Sequence, residues 1–465
     1  MSINSLLYTA RDAIQAQTYG ITVTGQNINN ANTPGYVRRD PLLATRIMGQ
    51  ESHGSVEALG LRRATDSFLE GRYYSSVGMS GAAQTRDSAL AQVEALFQDL
   101  AGAGVGDSLD RMRSAFNQLS VDPSDSIGRS EVVAALTDFV SRVNDTGQSL
   151  AGQRQGLLSQ AKDSVGQINE SAKELAKLNE QIVNAKLTGN DAADLLDKRG
   201  QALLKLSSLA DVRVVEETDG NALIQVAGAT LVEGNTARQF GIDLNADGTM
   251  KLTSSYPGSN SSTEITGGLS GGSLAGVFRV RDTDLAEVTS KFDTFVYDFT
   301  TALNQQHQAG YGLDGSTGLD LFDLSNVVAP PAGTSLSIKL NSAIVSDPTK
   351  LAASDLGTTL PGSGVNAKAL ASVFDASSIF GNTRNAGEAY SDLVGDVGVR
   401  RADAIAESSL RQTMENQAYE QKESSMGVSL DEEMIALTRY QRAYQASAKL
   451  LATADELFQD LLGIV

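Results

Sequence analysis

Cysteine and histidine are the residues best suited to nucleophilic and metal chemistry, and this 465-residue sequence holds no Cys and two His. His53 and His307 stand far apart, so neither a nucleophile–base pair nor a zinc site can be composed from them. Asp243-Leu244-Asn245-Ala246-Asp247-Gly248 copies the opening of a calcium loop. Its twelfth position should supply a bidentate Glu and is Ser254, so a β-turn is expected there. Gly267-Gly268-Leu269-Ser270-Gly271-Gly272 lacks the Lys and Ser/Thr of a phosphate loop and reads as a turn re-entering a helical body. Glu216-Glu217 and Glu432-Glu433 are sequence neighbours whose side chains diverge, which suits solvation and helix capping better than acid–base work. No catalytic residue, cofactor or metal is expected, and the chain does not read as an enzyme.

The strongest pattern lies at the two ends. Leu7, Ile14, Ile21 and Ile28 recur every seven residues, and so do Leu430, Leu437, Tyr444, Leu451 and Phe458. Met434 and Leu462 belong to the interleaved row. Both segments predict helices with a narrow apolar seam that needs another helix. Residues 1–40 carry Arg11, Arg38 and Arg39 against Asp12 and Asp40, a net of +1. Residues 430–465 carry Arg439, Arg442 and Lys449 against Asp431, Glu432, Glu433, Asp455, Glu456 and Asp460, a net of −3. The opposed signs favour pairing the first helix with the last. Asn29-Asn30-Ala31-Asn32 and Thr33-Pro34-Gly35 should end the first helix. Ser429 with Glu432 offers a capping box for the last.

Between these ends, Ser130–Leu187 predicts a long helix stopping at Gly189. Further helices are expected near 195–206, 283–307, 366–374 and 386–424. Strands are expected around Val212–Val215 and Leu223–Ala227, joined by Asp219-Gly220-Asn221, with a second hairpin at Ala246-Asp247-Gly248. The short strand Ser335–Leu340 lies in a Gly- and Pro-rich stretch read as completing that lobe. The expected fold is mainly α with an inserted β-rich domain. Residues 1–36 plus 429–465 would form a coiled-coil-like terminal helix pair. Residues 37–210, 273–312 and 362–428 would form an elongated helical body, and 211–272 plus 313–361 the β lobe. A formal charge of −19 argues against nucleic acid and anionic lipid. No apolar run is long enough for membrane insertion, and no secretory signal precedes the first helix. Composition alone would place such a chain in the cytoplasm.

The ends also carry recognisable strings. Gln26-Asn27-Ile28-Asn29-Asn30-Ala31-Asn32-Thr33-Pro34-Gly35-Tyr36 resembles the N-terminal signature of the flagellar rod, hook and hook-associated axial proteins. Val428 to Lys449, continuing to Leu461-Leu462, resembles their C-terminal signature. Asp191–Arg199, Leu274–Asp282, Asn304–His307 with Gly310, and Leu321-Phe322 resemble the hook-associated branch. Val37-Arg38-Arg39 departs from the usual Ser-Arg-Gln, and the chain is shorter than many relatives. The resemblance implies a structural subunit at the junction between hook and filament, needed for filament assembly and motility. A hook or distal-rod subunit is the alternative. It implies an extracellular place in the bacterial flagellum, reached through the flagellar type III export apparatus. The implied partners are further copies in an annular junction, the hook subunit, hook-associated protein 3 and an export chaperone on the C-terminal helix. Leu7, Ile14, Ile21, Ile28, Leu430, Met434, Leu437, Tyr444, Leu451, Phe458 and Leu462 would pack subunits, with Asn32, Thr33, Pro34, Gly35 and Tyr36 as the signature turn. An adhesive role for the β lobe is a third reading.

Overall fold

The computed structural model describes residues 3–46, 55–98, 104–327, 330–357, 362–377, 379–381 and 383–463. Helix α1 (Ile3–Asn30) runs into the antiparallel hairpin β1 (Arg39–Arg46) and β2 (Ser55–Arg63), which packs back on α1. This hairpin corrects the sequence reading, which gave residues 37–210 to the helical body. Its tip, with His53, lies outside the described residues. Helix α2 (Ser67–Leu96) starts at Asp66, whose carboxylate accepts from the Phe68 and Leu69 amides. Then come α3 (Val105–Val121) and the 62-residue α4 (Ser126–Leu187), about 90 Å long at 1.5 Å per residue. Asp125 caps α4 at its start, and the helix ends just before Gly189 at φ +71°. Its fully buried side chains include Val132, Leu136, Phe139, Val143 and Leu150, then Ala161, Ile168, Leu175 and Ile182. Spacing of three, four and seven keeps one stripe of α4 against the body along its length.

After α5 (Ala193–Leu209) the chain forms two small antiparallel sheets. One comprises β3 (Val212–Glu216), β4 (Ala222–Val226), β5 (Ala229–Glu233) and β6 (Thr236–Ala237). The other comprises β7 (Gln239–Leu244), β8 (Met250–Ser255) and β9 (Ser262–Glu264). Both hairpins expected from Asp-Gly turns are present, with Gly220 and Gly248 at positive φ. The calcium-like loop is the second turn. Asp247 accepts from the Thr249 amide and hydroxyl, while Arg154 and Arg281 both donate to Gly248 O. The turn is thus held in place by two guanidinium groups.

Helix α6 (Gly272–Arg279) passes through a π-turn at Val280–Asp284 into α7 (Leu285–Gln308). Gly272 adopts φ +81°, and a Cβ there would lie 2.1 Å from Ala210 N. The glycine run therefore permits a close backbone crossing. The π-turn divides neighbouring side chains between two neighbours. Arg281 and Asp282 reach the lobe at Gly248 and Met250, and Asp284 reaches Arg86 on α2.

Residues 310–357 differ from their expected place. They form the two-residue strands β10 (Phe322–Asp323) and β11 (Lys339–Leu340), with short helices α8 (Thr334–Ser337) and α9 (Ser342–Ser346). They share no sheet with the lobe, and they pack on α4 and α7. The stretch expected as strand Ser335–Leu340 begins as helix because buried Asp293 accepts from the Gly333 and Ser335 amides. Asn304 likewise clasps the backbone of Phe322, donating to its carbonyl at 2.9 Å and accepting from its amide at 2.8 Å. Helix α10 (Val365–Val373) and the 41-residue α11 (Ala386–Met426) return along α3 and α2, and α12 (Leu430–Gly463) lies along α1. Phe139, Phe299, Phe322 and Phe374 stack edge-on at 5.1–6.0 Å between centroids where α3, α4, α7 and α10 meet.

Candidate assembly interface

The buried residues of α1, which packs on α12 and on the hairpin, are mostly small: Ala10, Ala16, Gly20, Val23 and Thr24, with Asp12 and Asn27. On α12 Glu433, Ser447 and Ala454 are buried, with Tyr440 half-buried. A Cβ on Gly20 would stand 2.8 Å from the Tyr440 ring, so the helices approach as closely as glycine allows. The α12 contacts again repeat every seven residues, at 433, 440, 447 and 454. This row is three residues on from the expected Leu430–Phe458 row. Leu437 and Leu451 lie half-buried at its flank, as do Leu7, Ile14, Ile21 and Ile28 on α1. Leu430, Met434, Tyr444, Leu450, Leu457 and Phe458 are 40–54% exposed, and Ile435 more so. The side chain of Leu462 lies outside the described part. A single chain thus pairs its terminal helices through small residues of α1 and leaves several large apolar residues of α12 exposed.

The outer face of α1 is the opposite. Beyond the exposed Tyr8 and Arg11 near its start, Gln15, Thr18, Thr22, Gln26 and Asn29 line it, and the Thr18 and Thr22 hydroxyls donate to carbonyls one turn back. Polar side chains on one helix beside an apolar face on the other make a surface that is not self-complementary, which suits head-to-tail association. Gly20→Leu should drive the helices apart. The chain has no native Cys, so spin labels on Thr22→Cys and Gln441→Cys can read the gap. The label distance should lengthen in Gly20→Leu; an unchanged distance would mean the crossing is not set at this residue.

A polar knot fixes the pair at its root. Asn27 donates to Glu433 Oε2 at 3.0 Å and Arg39 O at 2.9 Å, and its Oδ1 accepts from the Tyr36 hydroxyl and the Arg39 amide. All its hydrogen-bonding capacity is used, as burial requires. Burial pushes the Glu433 carboxyl above the ordinary carboxylate range, against the lowering effect of the Asn27 bond. The signature turn closes with Tyr36 N donating to Thr33 O at 3.1 Å, Pro34 and Gly35 (φ +79°) at its corner. Asn32, Thr33, Pro34 and Gly35 are exposed, and Gln201 of α5 donates to Pro34 O. Arg39, absent from the expected site, is the hub. Its guanidinium sits 4.8 Å from the Tyr36 ring and donates to Asp194 and Asp197 at 2.6 and 2.7 Å. Arg63 of β2 shares Asp197 at 2.8 Å. Arg38 pairs with Glu432 at 2.9 Å, and its amide donates to Met426 O. The Asp191–Arg199 string and the N-terminal signature are therefore two halves of one joint between terminal pair and body. The Arg38-Arg39 pair against Asp194 and Asp197 was the available signal.

Among the described residues no group of His, Asp and Glu is placed to hold a metal, and no helix is long and apolar enough to cross a membrane. His307 is buried with both ring nitrogens bonded to backbone.

Paired terminal helices, long body helices and a side lobe define an axial, assembly-forming protein. Residues 422–464 match the C-terminal family described as flagellar basal body rod FlgEFG protein, which fits the shared end signature. The chain belongs to the flagellar hook-associated protein FlgK family, whose helical domain matches residues 90–322. It is 27% identical to flagellar hook-associated protein 1 of Bacillus subtilis, covering 98% of this chain and 97% of that one. It is 26% identical to the protein of that name from Salmonella typhimurium, over 99% of this chain and 100% of the relative. The fold resembles the solved flagellar hook junction protein FlgK from Burkholderia pseudomallei, with a TM-score of 0.67 at 16% identity. That match covers 76% of this chain and 100% of the other. The hook or distal-rod alternative is set aside, because the body carries the FlgK helical domain and full-length relatives are hook-associated protein 1.

Proposed function

We propose that this chain is the non-catalytic subunit that joins hook to filament in the bacterial flagellum. The observation that carries the reading is the FlgK helical domain in the same chain as a terminal helix pair whose large apolar side chains face outward. Copies associate through the outer face of α12 and the Leu7–Ile28 flank of α1, which brings Leu430, Met434, Leu437, Tyr444, Leu451, Phe458 and Leu462 into subunit packing. The hook subunit lies on one side of the resulting ring and hook-associated protein 3 on the other. The terminal pair forms the inner layer, the helical body with residues 313–361 the next, and the lobe of residues 211–272 faces outward. Before export through the flagellar type III apparatus a chaperone covers α12, since its exposed apolar face is an aggregation hazard. Deleting the gene should give cells that build hooks, shed filament subunits into the medium and do not swim, with recovery on re-expression. Filaments of normal length in the deletion strain would overturn the reading.

A further inference from the structure

The peptide unit between Leu351 and Ala352 is gripped at both ends by ionisable side chains. Arg129 of α4 donates from Nη1 to Leu351 O at 2.8 Å, and His307 of α7 accepts the Ala352 amide on Nε2 at 2.9 Å. The other ring nitrogen, Nδ1, lies 2.6 Å from Leu319 O. A carbonyl only accepts, so Nδ1 carries the proton, and Nε2 must keep its lone pair for Ala352. The ring is therefore neutral when this geometry holds. Both side chains are fully buried, Arg129 at 2% and His307 at 1% exposure. Every hydrogen bond that the Arg129 guanidinium makes among the described residues goes to a backbone carbonyl: Pro123, Pro348, Thr349 and Leu351. Asn366 of α10 completes the grip by donating to Ala352 O at 2.7 Å and accepting from Gln306.

We propose that His307, Arg129 and the 351–352 peptide form an acid-released latch that fastens residues 311–354 to the helical body. Protonating Nε2 turns the acceptor of the Ala352 amide into a donor, so two N–H groups face each other. It also places a second buried cation one peptide away from Arg129, whose positive charge already holds the carbonyl end. The other charged groups on the segments around the ring are Asp320 and Asp314 in the loop after α7, Asp347 and Lys350 in the turn before Leu351, and the exposed Asp355 and Lys368. Asp347 is engaged by Thr349, and Asp320 by Gln308. α10 presents the neutral Asn366. Burial holds the imidazole below its ordinary range, outweighing the Leu319 bond and the Asp320 charge, which act the other way.

The sign follows from linkage. An unfolded histidine titrates near about 6.5. With the folded value lower, the opened loop binds the extra proton first. The latch is at full strength above about 6.5 and weakens as pH falls from there towards the lowered folded value. Across that window the opening equilibrium should rise up to about tenfold per pH unit.

The test is amide hydrogen exchange on the full chain from pH 7.5 to 5.0, corrected for the intrinsic pH dependence of exchange. Protection should fall with acid at Ala352, Ser354 and Tyr311 while the α4 and α7 amides keep theirs. In His307→Gln, whose amide supplies an NH2 donor and a carbonyl acceptor and does not titrate, the acid response should vanish. Should that variant fold poorly, the imidazole signals of the unmodified chain decide, since the latch requires the Nδ1–H tautomer and a depressed midpoint for His307. Acid loosening spread evenly over the chain, a response that persists in His307→Gln, or ordinary titration of His307 near 6.5 would each overturn the proposal.

Discussion

Met434→Ser, Tyr444→Ser and Phe458→Ser together should remove filaments from cells while leaving the isolated chain folded. These side chains are 54%, 40% and 41% exposed on α12, with Tyr444 and Phe458 at the solvent edge of the row that holds Leu437 and Leu451. Substituting exposed residues away from special features usually changes stability by no more than about 0.5 kcal/mol each. In an assembly the same three would be covered, and full burial of a large apolar side chain is worth about 1.5–3 kcal/mol. That loss recurs in every copy, so association should suffer far more than monomer melting. The triple variant should be exported, appear in the medium as soluble monomer and give hooks without filaments. Leu437→Ala with Leu451→Ala is the instructive contrast. Both residues flank the intrachain seam, so the pair should lower melting of the terminal helices as well as assembly. A triple variant that unfolds the whole chain, or that still supports swimming, would show that the outer face of α12 is not the subunit interface.

Asp284→Ala should be the most destabilising single substitution in the body, at about 3–5 kcal/mol, because it strands a buried charge. Asp284 is 3% exposed and takes a bidentate pair from Arg86 at 2.9 and 3.0 Å, with Arg400 at 3.4 Å on the same carboxylate. Arg400 keeps Asp396 and Glu287, but Arg86 would retain only Glu407 at 3.3 Å. The loss falls where α2, α11 and the π-turn before α7 meet, so it should weaken the body as a unit. Denaturant unfolding of the full chain is the measurement. Glu407→Ala, which removes a partly exposed carboxylate, should cost less than about 1 kcal/mol. Asp284→Leu with Arg86→Met should recover much of the loss, since a buried ion pair and a well-packed apolar pair are often close in stability. An Asp284→Ala cost no larger than that of Glu407→Ala would show that the pair is not desolvated in the folded chain.

Local rules carried much of this molecule. The three-, four- and seven-residue spacing on α4 sets its buried stripe whatever it packs against, so the helix was readable from Ile168, Leu175 and Ile182. Asp219-Gly220 and Asp247-Gly248 turned where expected because each supplies the positive φ that a tight hairpin needs. The Thr33–Tyr36 turn follows from Pro34 and Gly35 in the same way. The ends also signalled the axial class and the inner strings its hook-associated family, because each string is contiguous.

What escaped the sequence was settled by partners distant in the chain. Strands β1 and β2 pair, and their root is held by Arg39 and Arg63 on Asp197, more than 130 residues away. Residues 310–357 join α4 and α7 because Asp293, Asn304 and His307 satisfy their backbone from buried positions, and no local propensity encodes those bonds. The terminal helices make the point most sharply. Seven-residue periodicity on α12 offers one row of large apolar residues and another of Glu433, Tyr440, Ser447 and Ala454. The sequence determined that both rows exist. Only the tertiary structure decided which one faces α1, since Gly20 makes room for the Tyr440 ring and Asn27 for the Glu433 carboxylate, which leaves much of the other row exposed.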